Sequence, residues 1–195
     1  MRSLPALLAL LLILPMAAQQ SEPAASWLFP SDASLDAAMR AGYSGAKPSW
    51  PTLCSTTQSP RCGGDVFIAS IRTPLDRALL VGSDARAKFA DAPSLTSLRE
   101  LKGRPEVVVA VCSYDPEDRF AVAIESAGEI YRAAKTSFQS SPASMFCPGG
   151  KRWLVGATAE FGPPKTVPTS GHGDLVVRWT ARPDVRVPLS FDALR

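Results

Sequence analysis

Hydrophobic positions change their spacing several times along this 195-residue chain, and each change predicts a different element. Met1, Arg2 and Ser3 precede an unbroken apolar run over 4–18, and polar residues follow from Gln19. A cationic start, an apolar stretch too short to span a bilayer comfortably, and small residues at its end are typical of a secretory signal peptide. We therefore predict a signal peptide over 1–18 and an extracytoplasmic location, periplasmic or secreted. The alternative is an uncleaved membrane anchor.

Apolar residues at helical spacing predict three helices in the remainder of the chain. The second has the clearest start, because Thr73 can cap it, Pro74 suits its first position and Asp76 can complete a capping box. Gly82 falls on its inner face and is expected to permit close approach to a sheet; the alternative is a break of the helix at this residue. The predicted helices cover about 32–42, 74–90 and 94–102.

Alternating or continuous apolar runs predict the strands. The run 106–114 is apolar almost throughout, which is typical of a strand covered on both faces. The segments 42–64 and 137–150 are rich in Ser, Thr, Pro and Gly and are interpreted as loops. The predicted strands cover 66–72, 106–114, 120–125, 130–132, 153–161, 175–179 and 185–191.

This order of elements indicates an α+β fold that is mainly antiparallel β. We expect a sheet or sandwich of about six to seven strands, with a two-helix insertion after the first strand. The chain divides into a signal peptide (1–18), a flexible N-terminal segment with a short helix and a disulfide loop (19–64), and a single β-rich globular domain (65–195). Within the second part, the apolar residues 27–30 are expected to dock on the domain.

Four cysteines follow the apolar run, and an even number in an exported chain indicates two disulfides. Three pairings exist, and the spacing favours Cys54–Cys62, which closes a turn-rich loop, with Cys112–Cys147. A zinc site is disfavoured because no close Cys-x-x-Cys pair is present and His172 is the single histidine. A catalytic thiol is disfavoured because no base lies near any cysteine in sequence. We therefore expect no metal and no cofactor.

Charge and composition exclude some functions and favour others. The 21 Lys and Arg nearly balance 18 Asp and Glu, without the basic stripe that phosphate backbones require, so nucleic acid is not an expected partner. The chain contains no Asn, which rules out Asn-linked glycosylation. A composition rich in Ala, Arg and Pro is typical of bacterial proteins.

The pattern Ser170-Gly171-His172-Gly173-Asp174 is the main candidate for catalysis. A hydroxyl, an imidazole and a carboxylate are the groups of a nucleophile, base and orienter. Such triads are assembled from distant positions, however, and neighbours in a Gly-rich loop point apart. A solvated loop histidine is the competing interpretation.

Three other patterns carry less chemistry. Ser44 and Lys47 match the Ser-x-x-Lys spacing of acyl enzymes, but Pro48 disfavours a helix at that lysine. The segment 148–152 could form an anion nest, but a strand follows it where a phosphate loop would open a helix. The acidic turn 115–118 offers three carboxylates, fewer ligands than a dedicated calcium site uses.

We therefore expect a non-enzymatic exported module that binds a protein, peptide or envelope component through a sheet edge or a loop surface. One alternative is a small hydrolase built around His172, with Asp174 and Ser170. The other is a small-ligand carrier with an apolar pocket between helix and sheet. After removal of the signal peptide no stable membrane span is expected.

Overall fold

The computed structural model describes residues 26–48, 50–57, 61–143 and 147–194. The predicted signal peptide and its cleavage site lie outside these ranges. The helices are α1 (Asp32–Tyr43), α2 (Pro74–Ala87) and α3 (Leu95–Arg99). The strands are β1 (Thr52–Ser55), β2 (Val66–Arg72), β3 (Glu106–Ser113), β4 (Ala121–Ser126), β5 (Glu129–Arg132), β6 (Lys135–Pro142), β7 (Trp153–Glu160), β8 (His172–Arg178) and β9 (Val185–Ser190). A short 3-10 helix, Phe191–Ala193, follows β9.

The strands form two antiparallel sheets, which confirms the predicted α+β, mainly antiparallel fold. Five strands pair in the order β1-β2-β3-β7-β6, and four pair in the order β5-β4-β8-β9. The strand count is nine rather than six or seven, because β1 and β6 lie in the segments interpreted as loops. The helical insertion consequently follows the second strand, not the first.

Side chains from both sheets meet in one core. Val107, Val109 and Val111 alternate along β3 and are fully buried, and Ile124 and Leu175 of the other sheet belong to the same cluster. Burial of each such side chain contributes about 1.5–3 kcal/mol relative to exposure. The alternation is the direct consequence of the two-residue period of a strand.

The segment just before α1 seals one side of this core, as its apolar residues predicted. Leu28 is fully buried and Trp27 nearly so. The Trp27 ring stacks on Phe191, with centroids 6.4 Å apart, and its Nε1 donates to the carbonyl of Thr169 at 3.0 Å. The start of the described chain is thus held to its end.

The starts of the helices follow their capping residues. Thr73 caps α2, and its backbone N–H donates to the Asp76 carboxylate at 2.8 Å while its hydroxyl accepts from the Asp76 N–H at 3.3 Å. This is the predicted capping box. The hydroxyl of Ser31 accepts from the N–H of Ser34 at the start of α1. That helix continues through Gly42 to Tyr43, one residue beyond the predicted stop.

Gly82 serves the contact between two helices and not the expected contact with a sheet. A Cβ atom at Gly82 would overlap the carbonyl oxygen of Met39 in α1, and one at Gly42 would overlap the carbonyl oxygen of Leu79 in α2. The two helices therefore cross backbone against backbone. Around this crossing Leu35, Met39, Ala78 and Leu98 form a small core of their own.

Arg77 of α2 ties the helices to the end of the larger sheet. Its Nη2 lies 3.1 Å from Glu106 in β3 and 2.8 Å from Glu160 in β7, and the side chain is only 13% exposed. Across the described part of the chain, no helix combines the length and apolar content that a membrane crossing requires.

Candidate functional site

Four loops lie at one end of the sandwich, and both disulfides are found there. These loops join β1 to β2, β3 to β4, β6 to β7 and β8 to β9. The bonds are Cys54–Cys62, within the first of these loops and its strand, and Cys112–Cys147, which ties β3 to the β6–β7 loop. Both pairings are the ones that the spacing favours. Two disulfides fit a domain that matures where thiols oxidise.

One charge network connects all four loops. Arg182 of the β8–β9 loop donates to Asp118 of the β3–β4 loop at 2.8 Å and lies 3.4 Å from Asp65 of the β1–β2 loop. Lys151 of the β6–β7 loop donates to Asp65. Asp118 also accepts from the buried hydroxyl of Ser113 at 2.8 Å. The loops are therefore held in fixed positions relative to one another.

Edge strands offer unpaired backbone groups, and most edges of these two sheets carry features that discourage pairing. β1 is four residues long and its register shifts between Thr52 and Cys54. β5 is equally short, and its first and last residues, Glu129 and Arg132, are charged. β9 carries Pro188 at its middle.

β6 differs from these three edges. All eight of its residues, from Lys135 to Pro142, pair with β7 without a register shift, and no strand of the described chain pairs with its other side. The residues between those two are uncharged (Thr-Ser-Phe-Gln-Ser-Ser), and Phe138 alone among the eight is half-buried. β6 therefore presents a long, regular row of free N–H and C=O groups.

Beside this edge lies an aromatic recess, formed by Phe120, Phe138 and Trp179, with a volume of about 580 Å³. The ring of Phe138 meets that of Phe120 edge to face at a centroid distance of 5.4 Å. The ring of Trp179 lies 5.5 Å from that of Phe120 and is tilted by 44° to it. The three aromatic side chains come from both sheets: Phe120 directly precedes β4, Phe138 lies in β6 and Trp179 directly follows β8.

Two arginines flank the aromatic recess. The guanidinium of Arg119 lies 5.0 Å from the centre of the Phe138 ring, a cation–π distance. Arg178 forms an ion pair with Asp184 at 2.6 Å. Their hydrogen bond lowers the pKa of Asp184 and raises the pKa of Arg178, so both remain charged near neutral pH.

The indole of Trp179 carries an unused donor. The residue is only 7% exposed, and its Nε1 has no hydrogen-bond partner among the described residues. Buried polar groups are normally paired, and an exception calls for a physical reason. This nitrogen is itself buried, so a group at the open recess would reach it only after the indole had moved.

The candidate catalytic residues predicted from the sequence lie at the start of β8, which is the opposite end of the strand from the β8–β9 loop. His172 is exposed at the first position of that strand, and Ser170 is exposed in the preceding loop. The carboxylate of Asp174 lies 3.4 Å from Arg186. Within the ranges that the structure describes, no hydrogen bond joins the side chains of Ser170, His172 and Asp174. A hydrolase at this position stays a prediction.

Residues of the other candidate patterns contact other parts of the chain, as Lys151 of the segment 148–152 does with Asp65. In the acidic turn, Asp118 is bound by Arg182, and Glu117 accepts from Arg119 at 2.8 Å. The hydroxyl of Ser44 donates to the carbonyl of Arg40, at the end of α1. The described ranges contain no group of three Asp, Glu, His or Cys residues placed to hold a metal ion.

Sequence reasoning did not identify β6 or the aromatic recess. Phe138 is a single apolar residue in a polar stretch, which gives no period to detect. The signal that was available is the absence of charge and of Gly over 136–142, which separates this segment from an ordinary turn-rich loop.

Comparison of the chain with protein-family models, with curated proteins and with solved structures finds no match.

Proposed function

We propose that this protein is an exported, non-enzymatic binding domain that takes up an extended segment of another protein by strand addition at β6. The observation that carries the proposal is the contrast among the sheet edges. β6 is long, regular and uncharged between Lys135 and Pro142, whereas β1, β5 and β9 are short, bulged, charged or interrupted by proline.

Strand addition uses the two kinds of group that this surface offers. Free N–H and C=O groups of β6 would bind the backbone of the incoming segment, whatever its sequence. Its side chains would alternate between the two faces of the enlarged sheet. One of them would point toward the aromatic recess, which suits an aliphatic or aromatic group.

The expected affinity is moderate. Burial of one large apolar side chain contributes about 1.5–3 kcal/mol, and each net hydrogen bond contributes about 0.5–1.5 kcal/mol. The ordering of a flexible segment opposes both contributions. We therefore expect dissociation constants of about micromolar magnitude for short linear peptides.

Paired lysine substitutions test the proposal. Linear peptides are first selected against the exported protein from a random display library, and their affinities are measured by calorimetry. Ser140 shares the inner register of β6 with Phe138, and Gln139 lies on the opposite face; both are exposed. Ser140→Lys places a charge beside the recess, so we expect about a tenfold loss of affinity.

The matched control is Gln139→Lys, which adds the same charge to the same strand on its outer face. We expect this variant to retain affinity within about twofold. Equal losses in both variants, or no loss in either, would contradict binding at β6, as would a library that yields no binder.

A further inference from the structure

Phe89 is displayed to solvent in an unusual backbone conformation. The residue is 98% exposed, and its φ of 54° lies in the left-handed region, where a bulky residue is an outlier. The position follows the C-cap residue of α2, Lys88, and glycine is the usual residue there. Neither the backbone nor the side chain of Phe89 is therefore favoured locally, and such outliers are concentrated at functional positions.

Hydrogen bonds hold this residue in place. The N–H of Phe89 donates to the carbonyl of Arg86 at 3.0 Å, and the N–H of Ala90 donates to that of Ala85 at 2.9 Å. These bonds form the closing pattern of a helix that ends in a left-handed residue. Tyr43 at the end of α1 donates to the carbonyl of Ala90 at 3.2 Å. The phenyl ring thus projects from a fixed turn.

Lys47 and Arg86, which have no salt-bridge partner among the described residues, line a groove together with this ring. A surface groove of about 730 Å³ is lined by Tyr43, Phe89, Lys47 and Arg86, and by no acidic residue of the described chain. Lys88 directly precedes Phe89. None of Lys47, Arg86 and Lys88 forms a salt bridge with a described residue, although Asp84 and Asp91 are near in sequence. By contrast, Arg40 of α1, Arg99 of α3 and Lys102 just after α3 are all paired.

We propose that this tip, consisting of Tyr43, Lys47, Arg86, Lys88 and Phe89, docks on the surface of an anionic lipid bilayer. Aromatic side chains settle at the headgroup level, and cations near the surface are attracted by anionic headgroups. A protruding aromatic ring beside cations that no described acidic residue pairs combines both features at one tip. The site uses α1 and α2 and is independent of strand addition at β6.

The charge pattern favours lipid over a protein pocket. A pocket for one aromatic ring would need apolar surface opposite Phe89, and it would leave three neighbouring cations without a specified partner. An anionic bilayer supplies negative charge at every lateral position, so it satisfies Lys47, Arg86 and Lys88 together. Reversible, salt-sensitive association is the expected behaviour for one aromatic anchor with a few cations.

Vesicle co-sedimentation tests this proposal. The full chain is exported through its predicted signal peptide and purified from the extracytoplasmic fraction, so that all variants share one N-terminus. We expect binding to phosphatidylglycerol–phosphatidylcholine vesicles, little binding to pure phosphatidylcholine, and loss of binding near 1 M salt, where the Debye length is about 3 Å. Lys47→Gln and Lys88→Gln are each expected to weaken binding about fivefold.

Phe89→Gly is the decisive variant. Glycine adopts positive φ without strain, so this variant is expected to fold at least as well as the parent while binding vesicles about tenfold more weakly. Ile130→Ser, which removes another exposed apolar side chain on β5, is the control and should leave binding unchanged. Full binding by Phe89→Gly, or failure of the parent to bind anionic vesicles, would overturn the proposal. Binding of the parent protein to a purified partner protein, without binding to anionic vesicles, would also overturn the proposal.

Discussion

Arg182 and Asp118 are separated by 64 positions in sequence, yet their side chains meet at 2.8 Å and join the β8–β9 loop to the β3–β4 loop. Asp118 is only 12% exposed, so it has little access to water as an alternative partner. The same guanidinium reaches Asp65, which Lys151 also binds. This network positions the loop that carries Trp179 and therefore one wall of the aromatic recess.

Removal of Arg182 should destabilise the fold measurably. Arg182→Ala leaves Asp118 with a buried, unmatched charge, and we expect a loss of about 1–3 kcal/mol in the free energy of unfolding. Arg186→Ala is the control, because its 2.7 Å pair with Glu125 is half exposed on the arginine side and should contribute at most about 1 kcal/mol. Urea denaturation of both variants gives the comparison. Equal losses would contradict a special role for the loop network.

Because α1 and α2 cross closely, we expect alanine at position 82 to destabilise the protein, although helix propensity alone would predict the opposite. Alanine favours a helix over glycine by about 1 kcal/mol, but at Gly82 its Cβ would overlap the Met39 carbonyl. We expect Gly82→Ala to destabilise the protein by about 1–3 kcal/mol, as overpacking does. Asp84→Ala, on the exposed side of the same helix, should change little. Thermal unfolding distinguishes the two, and a stabilised Gly82→Ala protein would refute the close crossing.

The two disulfides should contribute unequally. Cys112 and Cys147 are 35 positions apart, and Cys54 and Cys62 are 8 apart. In the chain-entropy model the longer loop contributes about 4 kcal/mol and the shorter about 2.5 kcal/mol. Paired Cys→Ser variants, compared by denaturant titration, should show the larger loss for Cys112–Cys147. The reverse order would mean that native contacts, not loop length, set the difference.

The contacts of Asp32 with Arg99 and Lys102, at the start of α1, are expected to weaken at acid pH. Hydrogen bonds from Arg99 and then Lys102 lower the pKa of its carboxyl from 3.8 to about 2. Because the folded-state pKa is depressed, this stabilising contribution is present above about pH 4 and is lost as the pH falls toward 2. NMR titration should find the low midpoint, and Arg99→Ala should raise it. An unchanged midpoint in that variant would exclude Arg99 as the main cause.

Local signals in the sequence predicted the elements that depend on local chemistry. The start of α2 follows from Thr73, Pro74 and Asp76, which lie within four positions of one another. The core strands follow from apolar alternation, as in β7, where Val155, Ala157 and Ala159 are buried. Of the three possible disulfide pairings, the one that forms is the one that the spacing favoured.

Features that depend on distant partners could not be predicted in the same way. Nothing near Gly82 in sequence indicates that its neighbour is α1, because the contact is made across the helix crossing. β6 is exposed along most of its length. Because it has almost no buried face, its sequence does not show the alternation of apolar and polar residues that predicts a strand. The aromatic recess combines Phe120, Phe138 and Trp179 from three separate segments, and only the fold brings them together.

Hydrogen exchange at the backbone of β6 tests the central claim most directly. The protein is labelled with and without a peptide selected from the random library, and the amides of 136–141 are compared with those of the β1, β5 and β9 edges. Strand addition predicts slower exchange at alternate amides of β6 in the complex and no change at the other three edges. Unchanged exchange across 136–141 with the peptide bound would contradict the assignment of β6 as the binding edge.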